Sequence, residues 1–227
     1  MANAPITWDE TGDRLFETGV DHGVLYVLNS TTGEYGTGVP WNGLTGVTES
    51  PDGAEATDLW ADNIKYATLR SAETFGMTIE AYTYPDEFGE CDGSASPSSG
   101  VHIGQQSRKP FGFCYRTKVG SDTDTEANKY KIHVIYNCTA SPSERSYETI
   151  NDSPDAITFS WEVTTTPVAI NNTNYKPTSE ITIDVWKLTD NQKTALENKL
   201  YGSTSAAATL PDPATLLSIV GGSSTTT

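Results

Sequence analysis

Large apolar residues recur at every second position in four separate runs of this 227-residue chain. Phe75, Met77, Ile79 and Ala81 alternate with Gly76, Thr78, Glu80 and Tyr82. Tyr130, Ile132, Val134 and Tyr136 alternate with Lys131, His133 and Ile135. Ile157, Phe159, Trp161 and Val163 alternate with Thr158, Ser160, Glu162 and Thr164, and Ile181, Ile183 and Val185 alternate with Thr182, Asp184 and Trp186. Successive side chains of a strand point to opposite faces, so a period of two predicts half-exposed antiparallel strands with one buried and one wetted face. Residues 24–28, 44–49, 64–70 and 111–118 read as further strands. The connections at 29–38, 50–53, 93–100, 120–128 and 140–146 are rich in Gly, Pro, Asn, Asp and Ser, the residues that make turns. Many short strands punctuated in this way predict an all-β fold, an antiparallel sandwich or barrel-like domain with one or two short helices.

The helices have their own signals. Thr189-Asp-Asn-Gln192 is a capping box, Leu196 and Leu200 supply an apolar stripe, and Gly202 is placed to stop the helix in a left-handed turn. Asp212-Pro213 is an N-cap and first-turn pair that opens a short helix carrying Leu216, Leu217, Ile219 and Val220. So short and apolar a helix must dock on its own domain or on a neighbour. One further turn is expected over 85–90. No repeat or linker is visible, so the chain reads as one domain, 1–227. It has an expected mobile N-terminal arm (about 1–20), a long loop between strands (about 46–63) and a flexible C-terminal tail (about 203–227).

Charge excludes some functions. Thirty acidic side chains against fourteen basic ones give a net charge of −16. That balance argues against binding nucleic acid or an anionic membrane, both of which need Lys and Arg. The charge is also uneven. Residues 1–60 hold ten acidic groups and one basic group, whereas residues 101–150 hold five acidic and seven basic. Regions of opposite sign on one chain suit head-to-tail contact between copies. No apolar run approaches the roughly 20 residues of a membrane helix. The N-terminus lacks the basic start and apolar core of a signal peptide, so synthesis and residence in the cytoplasm are expected. Cys91, Cys114 and Cys138 form no C-x-x-C pair and predict no disulfide framework.

A search for chemistry finds little. His22, His102 and His133 lack metal-ligand spacing, and His133 reads as an ordinary sheet residue. Asp122-Thr-Asp-Thr-Glu126 begins like a calcium loop, but Ala127 and His133 stand where that loop needs Gly and Glu. Glu87, Glu90 and Asp92 cluster without declaring a catalytic pair. No catalytic residue, metal or cofactor is expected. The segment 46–63 does stand out. It carries Glu49, Asp52, Glu55, Asp58 and Asp62, with Leu59 and Trp60 as its large apolar residues. It is either a surface loop or an arm that reaches a partner, and Trp60 favours the arm.

Three blocks then bear on family. They are Gly38-Val-Pro-Trp-Asn-Gly-Leu44, the stretch from Ala61-Asp-Asn-Ile-Lys-Tyr66 through Ile79-Glu-Ala-Tyr-Thr-Tyr-Pro-Asp-Glu-Phe88 to Cys91-Asp-Gly93, and Thr149-Ile-Asn-Asp-Ser-Pro-Asp-Ala-Ile-Thr-Phe-Ser-Trp-Glu-Val-Thr-Thr-Thr-Pro-Val168. In this order they resemble the major tail tube protein of long-tailed, non-contractile bacteriophages. The resemblance spans the chain from about Val20 to Gly202 and to Leu210-Pro-Asp-Pro213, and is loosest over 119–129. It implies a β-sandwich or barrel-like domain of the phage tail tube type and a structural, non-enzymatic role in the virion. It further implies assembly of copies into hexameric rings stacked as a tube. The implied partners are the tape-measure protein, the tail terminator and distal tail or baseplate proteins. DNA would pass through the lumen during ejection without specific binding.

On that reading Glu49, Asp52, Glu55, Asp58, Trp60 and Asp62 are the candidate inter-ring contact. Acidic strand positions such as Glu80, Glu162 and Asp184 are candidates for a lumen surface that repels phosphates. Two other classes remain open on sequence alone. Five Trp and eleven Tyr would also suit a carbohydrate-binding β-sandwich. A jelly-roll hydrolase would need a carboxylate pair.

Overall fold

The computed structural model describes residues 6–123, 129–150, 155–171 and 174–221. Parts of the expected 120–128 turn, of the block at 149–168 and of both terminal segments lie outside the described residues. In chain order the strands are β1 (Leu15–Val27), β2 (Val39–Trp41), β3 (Leu44–Glu49), β4 (Asp52–Gly53), β5 (Ala56–Ala61), β6 (Ile64–Arg70), β7 (Glu73–Thr74), β8 (Gly76–Ala81), β9 (Ala95–Ser98), β10 (Val101–Ile103), β11 (Phe111–Ser121), β12 (Lys129–Ala140), β13 (Phe159–Thr165) and β14 (Glu180–Asp184). The helices are α1 (Gly89–Asp92), α2 (Asp190–Tyr201) and α3 (Pro213–Ile219). The expected all-β antiparallel class with short helices is the observed one.

Eight strands form a single antiparallel sheet in the order β2-β1-β11-β12-β13-β8-β3, with β14 branching off β12. The long strand β12 makes this sheet fold over itself. Its first half, Lys131 to Ile135, pairs with β14, and its last residues, Cys138 to Ala140, pair with β13. Between them sits Asn137 with φ of 49°. Phe113 faces Ile135 and Phe111 faces Cys138, so one extra residue is inserted on β12 at this point. A bulge of this kind bends the strand and reverses the parity of its side chains. Ile135 and Cys138, three residues apart, therefore enter the same core.

That core lies between the layer β2-β1-β11-β12 and the layer β13-β8-β3, and it is aromatic. Trp41, Phe88 and Trp161 meet at its centre, with Trp41–Phe88 ring centroids at 4.5 Å and Phe88–Trp161 at 5.2 Å. The Trp41 indole N–H, which burial would otherwise leave unpaired, donates to the carbonyl of Thr83 at 3.0 Å. The expected turn after Pro85 is a short 3-10 turn running into α1, and it delivers Phe88 and Cys91 to this core.

The sequence reading of β12 as half-exposed is corrected here, because His133 and Ile135 on the face read as wetted are buried toward the first core. The opposite face, read as buried, is covered by α2 and α3. Val24, Tyr26, Cys114, Ile132, Val134 and Tyr136 pack against Leu196, Leu200, Leu210 and Leu216 in a second core. The middle strands β1, β11 and β12 are thus covered on both faces.

Thr189 and Gln192 close the predicted capping box on α2, and Asp212 caps α3 through the backbone N–H groups of Ala214 and Thr215. The Tyr26 hydroxyl donates to the Leu200 carbonyl at 2.6 Å and pins the end of α2 to β1. Gly202 ends α2 with positive φ, 83°, but its ψ of 173° is not that of the expected left-handed helical turn. The chain instead swings so close that a Cβ there would lie 2.9 Å from the Ala208 nitrogen. The α3 helix docks on its own domain, where the Gln192 side chain donates to the Val220 carbonyl at 3.1 Å.

Candidate assembly surface

The expected long loop is only partly a loop. Residues 56–70 form a β-hairpin of β5 and β6 that pairs with no other strand among the described residues. Its tip is Asp62-Asn63, with φ of 50° and 64°, between the paired residues Ala61 and Ile64. Two successive left-handed residues make the turn whose twist matches paired strands, and Asp and Asn tolerate it best after Gly. At its root the short strands β4 and β7 pair. Segment 64–70, expected to be a strand, is one, and it belongs to this projecting ribbon.

The ribbon has no core of its own. Leu59, Trp60, Ile64, Tyr66 and Leu69 are all exposed, Trp60 at 69%. Leu59 opposes Ala67, and Thr57 opposes Leu69, giving an apolar stripe across the pair. Asp58 receives the Lys65 ammonium at 2.8 Å and the Thr68 hydroxyl at 2.8 Å. Isolated two-stranded ribbons are at best marginal in water. A run of exposed apolar residues on one element marks a contact surface.

The structure sorts the expected contact residues. Asp58, Trp60 and Asp62 lie on the hairpin, Asp52 lies on β4 at its root, and Glu55 immediately precedes β5. Glu49 stands apart. It ends β3, and its carboxylate turns toward β11 and β12, accepting from the Tyr115 hydroxyl at 2.5 Å and lying 3.3 Å from His133 Nδ1.

Of the three acidic positions that are candidates for a lumen surface, two share one face. Glu80 pairs with Ser160, and Glu162 pairs with Thr78. Both Glu side chains therefore point away from the Met77, Ile79 and Trp161 face, on a surface that Thr48, next to Thr78, also shares. Asp184 lies elsewhere, on β14 opposite Lys131, and it pairs with the Lys187 ammonium at 2.5 Å.

The basic stretch at 101–150 is largely spent inside the domain. Arg116 grips Asp21 with two hydrogen bonds, of 2.6 and 2.9 Å. Lys109 meets Glu90 at 2.5 Å, while Lys131 pairs with Glu17 and Arg145 with Asp92. The charge asymmetry read from the sequence as a head-to-tail contact is thus mostly neutralised by partners on the same chain. The same pairs tie up Glu90 and Asp92, two of the three carboxylates weighed as acid–base candidates.

One polar cluster has no counterpart among the sequence motifs. His133, 8% exposed, lies on the core-facing side of β12 and stacks on Tyr115 with centroids 4.6 Å apart. Its Nδ1 faces Glu49 at 3.3 Å and Glu180 at 3.9 Å, and its Nε2 lies 3.0 Å from the Thr117 hydroxyl. Burial pulls the imidazole pKa down, but hydrogen bonds and charge from Glu180 and Glu49 outweigh it and raise the pKa to about 9. The His133 hydrogen bond likewise holds the Glu49 carboxyl below its ordinary value, against the effect of burial. Glu49, His133 and Glu180 are 84 and 47 residues apart in turn, so no local spacing could have announced them. His133 is not the ordinary sheet residue the sequence suggested.

The aromatic residues that kept a sugar-binding surface open are divided between surface and core, with Trp8, Trp60, Tyr66, Tyr82, Tyr147 and Tyr175 exposed. Trp41, Trp161, Tyr26, Tyr115 and Tyr136 are buried. No helix among the described residues is long and apolar enough to cross a membrane.

A family model described as "Phage tail tube protein" matches residues 26–209. The chain belongs to the phage tail tube protein family. The match covers all three motif blocks, the hairpin, most of both cores and α2 of this tail tube protein. No curated protein sequence matches it. Several solved chains are similar, among them two at low identity. One is a sheath–tube complex of an extracellular contractile injection system in the extended state, with 11% identity, TM-score 0.31, and coverage of 72% of this chain and 88% of that one. The other is the baseplate of the anti-feeding prophage, with 6% identity, TM-score 0.32, and coverage of 81% and 97%.

Proposed function

We propose that this tail tube protein is the repeating subunit of the tube itself. Copies close into hexameric rings, the rings stack, and the bore conducts DNA out of the virion. The observation that carries the reading is the β5–β6 hairpin, which holds five large apolar side chains in water on a ribbon with no core. Docking on a second copy removes that surface from solvent. It also gives the ribbon the packing it needs to stay ordered. Strands β2 and β3 end the main sheet, and pairing across subunits would close those edges. The role is structural rather than catalytic. The tape-measure, terminator and distal tail proteins are the partners such a tube needs at its interior and its ends.

Within this assembly the Glu80 and Glu162 face lines the bore. Side chains of one sign there repel phosphates, so that DNA slides without adhering. Asp184, paired with Lys187 on another strand, does not share that face.

Electron microscopy of the purified full-length protein tests the reading, with a variant in which residues 56–70 are replaced by a short Gly-Ser linker. The wild type forms tubes, and the variant stays folded by circular dichroism but does not. Normal tubes from the variant would remove the hairpin as the contact. A wild type that stays dispersed at high concentration, with no annular repeat in virions, would end the proposal. Glu80→Lys with Glu162→Lys should leave tubes intact and slow DNA ejection.

A further inference from the structure

We propose that Glu49, His133 and Glu180 form a binding site for a divalent transition-metal ion of the zinc class, at the point where the projecting hairpin segment leaves the domain. This inference rests on the geometry of one folded chain and stands whether or not the chain assembles.

The three candidate donor atoms, His133 Nδ1 and one oxygen of each glutamate, lie within 4.8 Å of one another. The two separations from Nδ1 are 3.3 and 3.9 Å. Bonds of about 2.0–2.2 Å from one zinc to nitrogen and oxygen in tetrahedral geometry place the donors about 3.3–3.6 Å apart. Movement of the two carboxylates toward Nδ1 brings all three donors onto a single ion, with a fourth position left for water.

Each donor is also oriented from behind. Tyr115 donates to the Glu49 oxygen at 2.5 Å, Thr182 donates to the Glu180 oxygen at 2.7 Å, and Thr117 holds the far nitrogen of His133 at 3.0 Å. Metal-binding histidines and carboxylates characteristically carry such outer hydrogen bonds, which fix the ring nitrogen that faces the metal. The strands explain the convergence. Thr182 pairs with His133 across β12 and β14, and Tyr115 pairs with His133 across β11 and β12. Glu180 and Thr117 lie two residues along on the same face, and β3 ends above them with Glu49.

One imidazole with two carboxylates selects zinc-like ions over calcium and magnesium, which prefer six or more oxygens. The two carboxylates favour a positive charge beside the ring, and a bound divalent ion takes the place of a proton on Nδ1. Because Glu49 is the last residue of β3, the ion fastens the start of the 50–75 excursion to β12 and β14.

Isothermal titration of the full-length chain, stripped with chelator and titrated with Zn²⁺ alone, tests this. Saturable binding of one ion per chain is expected, with a rise in Tm and slower amide exchange at 49–53. Binding should weaken by about 10–100-fold in Thr117→Val and fall further in Glu180→Gln, whose amide still accepts from Thr182 and keeps the fold. Ca²⁺ and Mg²⁺ should bind more weakly than Zn²⁺. No saturable Zn²⁺ binding would overturn the site. So would equal affinity in wild type, E180Q and H133N, which would assign the ion to scattered surface carboxylates or to His22 and His102. Calcium binding as tight as zinc would overturn the role of the imidazole.

Discussion

The indole of Trp41 meets that of Trp161 edge to face, with ring centroids 5.5 Å apart and planes at 70°. Trp41 comes from the first motif block and Trp161 from the third. Phe88, from the second, packs on both. The three blocks that identify the family in sequence are thus one aromatic cluster in space.

Trp161→Ala should cost about 3–5 kcal/mol, since a fully buried indole leaves a cavity that the flanking strands cannot collapse around. Urea denaturation of the soluble protein measures it. A loss under about 1 kcal/mol would show that this cluster does not hold the layers together.

Leu59→Ser, Trp60→Ser and Leu69→Ser together should change the stability of the isolated chain by no more than about 0.5 kcal/mol each, since all three side chains are exposed. The same variant should fail to form long tubes. A large fall in Tm without any assembly defect would mean that the hairpin packs on its own domain.

Asp21 gives the fold a measurable acid dependence. Burial raises its pKa, but the hydrogen bond and charge of Arg116, with a smaller contribution from His22, bring it below the ordinary 3.8. A depressed folded pKa contributes stability above the unfolded value and loses it as pH falls through the folded one. The Tm difference between wild type and Arg116→Met should therefore be present at neutral pH and shrink below about pH 4. A difference undiminished at pH 2 would point to stacking of the Arg116 guanidinium on Tyr130, whose ring centroid lies 4.7 Å from Cζ.

The cysteines should be silent in the native state. Cys91, Cys114 and Cys138 are buried and free, and burial pushes the Cys91 and Cys114 thiols up to about 12. At pH 8 only about one thiol in ten thousand is then thiolate, the reactive form. Mass spectrometry after iodoacetamide should find no label on the folded chain and three labels in urea. Rapid native labelling of Cys138 would show that the bulge at Asn137 opens.

The sequence by itself determined the local structure. Period-two runs marked β8, β12, β13 and β14, Thr189-Asp-Asn-Gln192 marked the start of α2, and Asp212-Pro213 marked the start of α3, because each signal depends on residues within one turn or one strand. The aromatic motif blocks carried the family for the same reason. Only the tertiary structure decided which faces are covered. Lys131, His133 and Ile135 read as a wetted face, yet the inner side of β12 is closed by β11, β14 and the end of β3. It also decided that β12 changes partners at Asn137, that 56–70 leaves the sheet as a free hairpin, and that Arg116 and Lys131 neutralise Asp21 and Glu17. The site at Glu49, His133 and Glu180 belongs to the same group. Contacts between residues far apart in the chain follow from how strands pair and layers fold over, and no spacing within the sequence encodes that distance.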